Sequence, residues 1–133
     1  MASQYFHVVF PTYKRLPILL DQACNQFITE IIVDMIAQKK INVLEFKVLT
    51  DHIHLLMVEE SGNNYLPRTI KLIKGRTTTY FFKKYRDFKI DIGRGRLWAK
   101  GYHTTRIQNQ KHLDNTIGYI QNNFDKYKDC YKT

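Results

Sequence analysis

His52 and His54 stand one residue apart in the stretch LTDHIHLLMVEE, inside a run of apolar and β-branched side chains. Neutral imidazole is the commonest protein ligand for a metal ion. Side chains alternate along a strand, so both histidines share one face with Ile53 on the other. Their β-carbons are then about 7 Å apart, which lets two rings converge on one cation. The same spacing suits two ordinary histidines hydrogen-bonded in a half-buried sheet. Two ligands do not complete a site, and position 56 is leucine, so a third donor has to come from elsewhere in the chain.

A second group with reactive chemistry lies near the C-terminus. In GYIQNN, Tyr119 and Asn123 are four residues apart and so share one side of a helix. At about 100° per residue they fall well off the stripe of Leu113, Ile117, Ile120 and Phe124. Tyr119 is therefore expected outside the main buried face; periodicity alone leaves it either a phenolic nucleophile or a sheet-covering aromatic.

Charge narrows the partner. The 133-residue chain carries a formal +9, and the segment from Pro67 to Arg106 holds twelve Lys and Arg against Asp87 and Asp91, a net +10. One-sided charge of this density repels itself unless a polyanion relieves it, which points to nucleic acid. No apolar run reaches the roughly 18 residues of a membrane span, and no basic leader precedes a long apolar stretch, so a cytoplasmic protein is expected. Cys24 and Cys130 have neither CxxC spacing nor a framework around them and read as plain thiols.

The elements that must position these groups follow from periodicity. QYFHVVF (4–10) alternates and stops at Pro11, a first strand. Cys24, Phe27, Ile28, Ile31, Ile32, Met35 and Ile36 recur at helical spacing. Residues 41–49 and 52–60 are two β-rich runs separated by Thr50 and Asp51, a hairpin, and SGNN (61–64) is a turn. A second helix begins at Leu66 with Ile70, Ile73, Thr77 and Tyr80 or Phe81 inward; Gly75 within it allows a kink or a close approach. Residues 92–107 read as an extended, glycine-punctuated strand, and Asn109 can cap a last helix. The order implies one α+β domain over 1–133: a ferredoxin-like, RRM-like antiparallel sheet with helices packed on one face and an additional C-terminal helix that carries Tyr119.

Five stretches in this order, YFHVVFPTYKRLPIL, TDHIHLLM, IKLIKGRTTTYFFKKY, LWAKGYHTTRI and YIQNN, resemble the single-tyrosine HUH transposases of the insertion-sequence 200/605 group. HUH denotes His, hydrophobe, His, and the likeness runs over almost the whole chain. The resemblance implies that His52, His54 and Asn123 hold a divalent metal, Mg²⁺ or Mn²⁺, and that Tyr119 is the nucleophile. It also implies cleavage and rejoining of single-stranded DNA at hairpin-bearing element ends through a 5′-phosphotyrosine, by a homodimer. Asparagine at the third-ligand position is the pattern of the related repeat-associated tyrosine transposases, so a domesticated member of that branch fits as well.

In this reading the basic segment is the DNA grip. Arg68, Lys71, Lys74, Arg76, Lys83, Lys84, Arg94, Arg96 and Arg106 are expected to track phosphates. Trp98 and Tyr102 offer stacking faces for unpaired bases, although Trp98 suits a core position equally. Two rivals differ in chemistry: a non-catalytic single-strand-binding module, indifferent to metal, and a metal-dependent phosphoesterase that uses water and leaves no protein-linked product.

Overall fold

Alternating aromatic and β-branched residues over Gln4–Pro11 form strand β1, whose Val8 and Phe10 are fully buried. In the computed structural model, which describes residues 3–60, 65–87 and 96–122, this strand is followed by helix α1 (Gln22–Ala37) and strands β2 (Val43–Val48) and β3 (His52–Glu59). Helix α2 (Leu66–Lys84), strand β4 (His103–Arg106) and helix α3 (Gln110–Gln121) complete the order. The turn expected at 61–64 and the side chains of Arg94, Asn123, Phe124 and Cys130 lie outside the described residues.

The four strands make one antiparallel sheet in the order β2-β3-β1-β4, the ferredoxin-like arrangement expected from the sequence. Its two faces have different occupants. Val8, Phe10, Ile53, Leu55 and Met57 meet Cys24, Ile28, Ile32 and Met35 of α1 and Leu66, Ile70, Ile73 and Phe81 of α2 in a single apolar core. The opposite face is covered in part by α3, which buries Thr116 and Ile120.

The starts of α1 and α3 carry side-chain caps, the second as its sequence suggests. The Asp21 carboxylate accepts from the backbone N–H groups of Ala23 and Cys24 at 2.8 and 3.1 Å, and the Asn109 side chain accepts from His112 N–H at 2.9 Å. In α2 it is Phe81 that turns inward, while Tyr80 is exposed. The helix runs unbroken through Gly75, and a β-carbon there would meet nothing, so neither the kink nor the close approach occurs.

The long strand expected over 92–107 is shorter. Among the described residues only His103–Arg106 pairs along β1, and Trp98 contributes a single bridge to Thr12. Trp98 is not a stacking platform: it is buried, edge-on to Phe10, and its indole N–H donates to Thr77 Oγ1 at 2.8 Å. Thr77 in turn donates to the Ile73 carbonyl, so α2 and the chain before β4 share one polar contact inside the core.

Candidate active site

Three strands and one helix bring the site together. β3 is central, and its alternation sends Ile53, Leu55 and Met57 into the core while His54 and Leu56 face α3. β1 pairs with β3 so that His7 stands opposite Leu56 and Val9 opposite His54. In an antiparallel pair, directly opposed residues share a face and diagonal neighbours come within reach of long side chains. His7 therefore joins the two expected histidines from a neighbouring strand.

A bulge at Leu44 re-aims strand β2. Val43 pairs with Met57 on the core side, but the next pair is Glu45 with Leu56, followed by Lys47 with His54. The extra residue moves Glu45 and Lys47 to the histidine face, where simple alternation from Val43 would have placed Leu44. Both then anchor the end of α3: Gln121 Nε2 donates to Glu45 Oε2 at 2.9 Å, and Lys47 Nζ lies 3.5 Å from the Gln121 carbonyl.

With Ile120 fully buried and Gln121 tied to β2, the preceding residue is held over the imidazoles. Tyr119 is 56% exposed, and its ring centroid lies 5.6 Å from that of His54 and 6.0 Å from that of His7, edge-on to both. The separation of Tyr119 from the main buried face, expected from helical periodicity, is thus observed. The phenol sits at the rim of a histidine cluster.

The cluster is linked by short contacts. His52 Nε2 and His54 Nε2 are 3.1 Å apart, His54 Nδ1 and His7 Nε2 are 2.9 Å apart, and His52 Nδ1 is 2.7 Å from Asp51 Oδ1. Asp51 is buried and also has Arg15 Nη1 at 3.6 Å from Oδ2. Lys14 and Arg15 both have positive φ, so an uncommon backbone turn delivers that guanidinium. The Asp51 carbonyl accepts from Thr12 N–H at 2.8 Å, which fixes the loop ahead of β3 against the end of β1.

Sequence reasoning missed His7 and Asp51. Asp51 was visible as the residue beside His52, but in the reading of the hairpin it served only as a turn. His7 enters through strand register, which its own strand does not encode. Asn123 and Arg94 lie outside the described residues. Among the described residues, no group of three or more His, Cys, Asp or Glu side chains is arranged to hold a metal ion.

The donor chemistry of the two histidines nevertheless suits two of the three ligands that the resemblance implies. Their Nε2 atoms face each other, while each Nδ1 is engaged by a second partner, Asp51 or His7, the usual support of a metal-binding imidazole. Burial first, then the neighbouring His52, His7 and Lys47, pushes the His54 imidazole down to about 4. His7 is lowered as well, by burial and then by His112. Both rings thus favour the neutral form, the form that has a lone pair to give.

That depression has a sign. The unfolded chain protonates His54 near 6.5 and the folded chain only near 4, so its contribution to stability is fully present above pH 6.5 and is lost as pH falls to about 4. The metal-free protein is expected to lose on the order of 3 kcal/mol from this side chain over that interval, read as a falling urea midpoint. The fall is expected to be shallower in His54→Asn; an equal slope in the two proteins contradicts the assignment.

The basic residues are placed elsewhere. Arg68, Lys71, Lys74, Arg76, Lys83 and Lys84 ride on α2, which packs on the core face, across the sheet from His52, His54 and Tyr119. Arg106 pairs with Phe6 and so also points away from the histidine face. Lys74 donates to the Ala99 and Gly101 carbonyls at 2.9 and 2.5 Å, and Lys84 and Arg96 lie over aromatic rings. Lys71, Lys74, Arg96 and the half-buried Tyr102 line one groove beside α2. No cation of α2 pairs with a carboxylate among the described residues.

Known proteins share this sequence pattern and this fold. Over 115 residues, 82% of this chain and 81% of its relative, the sequence is 26% identical to the ISDra2 transposase TnpA of Deinococcus radiodurans. The fold is similar to a solved structure from Deinococcus radiodurans R1 assigned as a transposase, at TM-score 0.68 and 22% identity, covering 94% of both chains. It is also similar to a REP-associated tyrosine transposase solved with a REP hairpin, at TM-score 0.60 and 18% identity, covering 89% of this chain and 64% of that one. Residues 1–123 match the family described as Transposase IS200 like, and the chain accordingly belongs to the IS200-like transposase family.

Proposed function

We propose that this transposase cuts and rejoins single-stranded DNA at hairpin-bearing element ends, with Tyr119 as nucleophile and a divalent cation, Mg²⁺ or Mn²⁺, held by His52, His54 and Asn123. The observation that carries the reading is the packing of the Tyr119 ring edge-on to His54, whose Nε2 faces that of His52. A nucleophile and a cation-binding pair on one sheet face meet the first requirement of phosphoryl transfer, which is position.

When bound, the cation withdraws charge from the scissile phosphate and aligns it. Tyr119 Oη attacks phosphorus, one P–O bond forms as the bond to the departing 3′-hydroxyl breaks, and the strand is retained as a 5′-phosphotyrosine. The number of phosphate ester bonds is unchanged, so attack by another 3′-hydroxyl can reverse the step without an external energy source. The α3 anchor to Glu45 and Lys47 keeps the phenol over the histidines during the exchange.

The α2 cations are proposed to hold a part of the DNA remote from the cut. Lys71 and Lys83 are exposed, and their charges, with those of Arg68, Arg76 and Arg106, have no carboxylate to neutralise them among the described residues. Tyr102, at the groove shared with Lys71, supplies an aromatic edge for an unpaired base. Arg96, Lys74 and Lys84 are assigned to the same surface, Arg94 is proposed to bind DNA as well, and the acting species is proposed to be a homodimer.

The reading is tested by incubating the protein with labelled single-stranded oligonucleotides bearing imperfect hairpins, with and without Mn²⁺, on a denaturing gel. A protein-linked band that requires Mn²⁺ is expected. Cleavage that yields only free products overturns the proposal in favour of a water-using phosphoesterase, and binding without cleavage overturns it in favour of a binding module.

A further inference from the structure

Hydrogen-bond accounting across the histidine cluster gives His7 a task. The Asp51 carboxylate accepts, so His52 Nδ1 carries a ring proton, and with a single proton on the ring its Nε2 presents a lone pair. Nε2 of His54 stands 3.1 Å from that lone pair and must donate to it, since two lone pairs at this distance repel. Nδ1 of His54 is then an acceptor, filled by His7 Nε2–H at 2.9 Å. With all three imidazoles neutral, every donor in this chain has an acceptor, from His7 through His54 and His52 to Asp51.

Cation binding requires the opposite arrangement at one point. His52 is already in the right tautomer, because Asp51 keeps its proton on Nδ1. His54 is not: its Nε2 has to give up the proton, which passes to Nδ1 and needs an acceptor there. His54 is only 4% exposed, so water is a poor substitute. The atom in place is His7 Nε2, which accepts once the proton of His7 sits on its own Nδ1. The proton count of each ring is unchanged: the His54–His52 hydrogen bond gives way to the cation, and the direction of the His7–His54 bond reverses.

We infer that His7 is a positioning residue for His54, a two-way hydrogen-bond partner that allows His54 to switch tautomer and turn its Nε2 lone pair toward the cation. The inference rests on the reading of His52 and His54 as cation ligands. Asp51 is a fixed partner for His52, and His7 is a reversible one for His54. An imidazole or an amide can fill the second role because each has a donor and an acceptor at its end; a hydrocarbon cannot.

The test uses the full chain at pH 8 and two readouts other than activity. Long-range ¹H–¹⁵N correlation spectra of the ring nitrogens are expected to show His54 protonated at Nε2 without added metal and at Nδ1 with saturating Mg²⁺. Mn²⁺ titrations followed by paramagnetic resonance are expected to show a roughly 10–100-fold weaker affinity in His7→Leu. His7→Gln is expected to restore most of it. Equal affinities in wild type and His7→Leu overturn the inference, as does His54 protonated at Nδ1 before metal is added. A His7→Gln variant as weak as His7→Leu also overturns it, by making the imidazole itself a ligand. Unchanged Mn²⁺ affinity in His52→Ala instead sinks the ligand reading beneath it, so the two failures are distinguishable.

Discussion

Replacing Tyr119 by phenylalanine is expected to eliminate protein-linked DNA, a loss of roughly 10³-fold or more in the cleavage rate, while leaving the protein folded and its Mn²⁺ affinity unchanged. The substitution deletes one oxygen from a side chain that is 56% exposed and keeps the ring that packs edge-on to His54 and His7. Exposed positions of this kind change stability by about 0.5 kcal/mol or less. A loss of activity with an unchanged thermal midpoint therefore isolates the hydroxyl. Time courses on a denaturing gel, run beside thermal unfolding of the same preparations, supply both numbers; an adduct that persists in Tyr119→Phe removes Tyr119 from the mechanism.

Alanine at His52 and at His54 is expected to abolish Mn²⁺-dependent cleavage in both cases, with different structural costs. Each deletes a proposed ligand, so affinity should fall by more than the roughly 10–100-fold that accompanies loss of a supporting partner. His54 is buried between His52 and His7, and its removal strands the ring nitrogens on both sides, at about 1–3 kcal/mol. His52 is half-buried at the mouth of the site; its removal leaves Asp51, which retains Arg15 nearby, and opens the way for water to replace it as the partner of His54 Nε2. The metal-free urea midpoint should thus fall clearly in His54→Ala and little in His52→Ala. Equal losses of stability, or full cleavage in either variant, run against the assignment.

How far the site could be read beforehand follows the range of the interactions. The shared face of His52 and His54, the cap at Asn109 and the exposure of Tyr119 are local consequences of strand and helix periodicity, and all three are present. Strand register is non-local: the pattern QYFHVVFP shows that His7 alternates with Val8, but only its pairing with β3 brings it to His54. The bulge at Leu44 is likewise invisible in a six-residue strand read by alternation, and without it Glu45 and Lys47 would not meet α3.

Trp98 illustrates a different limit. Composition marks it as a large amphipathic ring that can stack on a base or fill a core, and the decision lies with Thr77, which receives its N–H, and Phe10, against which it packs. The charge of the middle segment has a similar ambiguity. Its sum was plain, but a helix that buries Ile70, Ile73 and Phe81 on one side of the sheet carries its lysines to that side, away from the tyrosine. The proposed grip and the proposed cut therefore lie on opposite faces of the sheet.

The central claim is a covalent bond between Tyr119 and DNA, and peptide mapping of the trapped product tests it most directly. Protein incubated with Mn²⁺ and a short hairpin-bearing oligonucleotide, then digested with nuclease and protease, should give one modified peptide, spanning residues 112–126, with the mass of a 5′-nucleotide on Tyr119. A nucleotide on any other residue, or cleaved DNA with every tyrosine unmodified, contradicts the account.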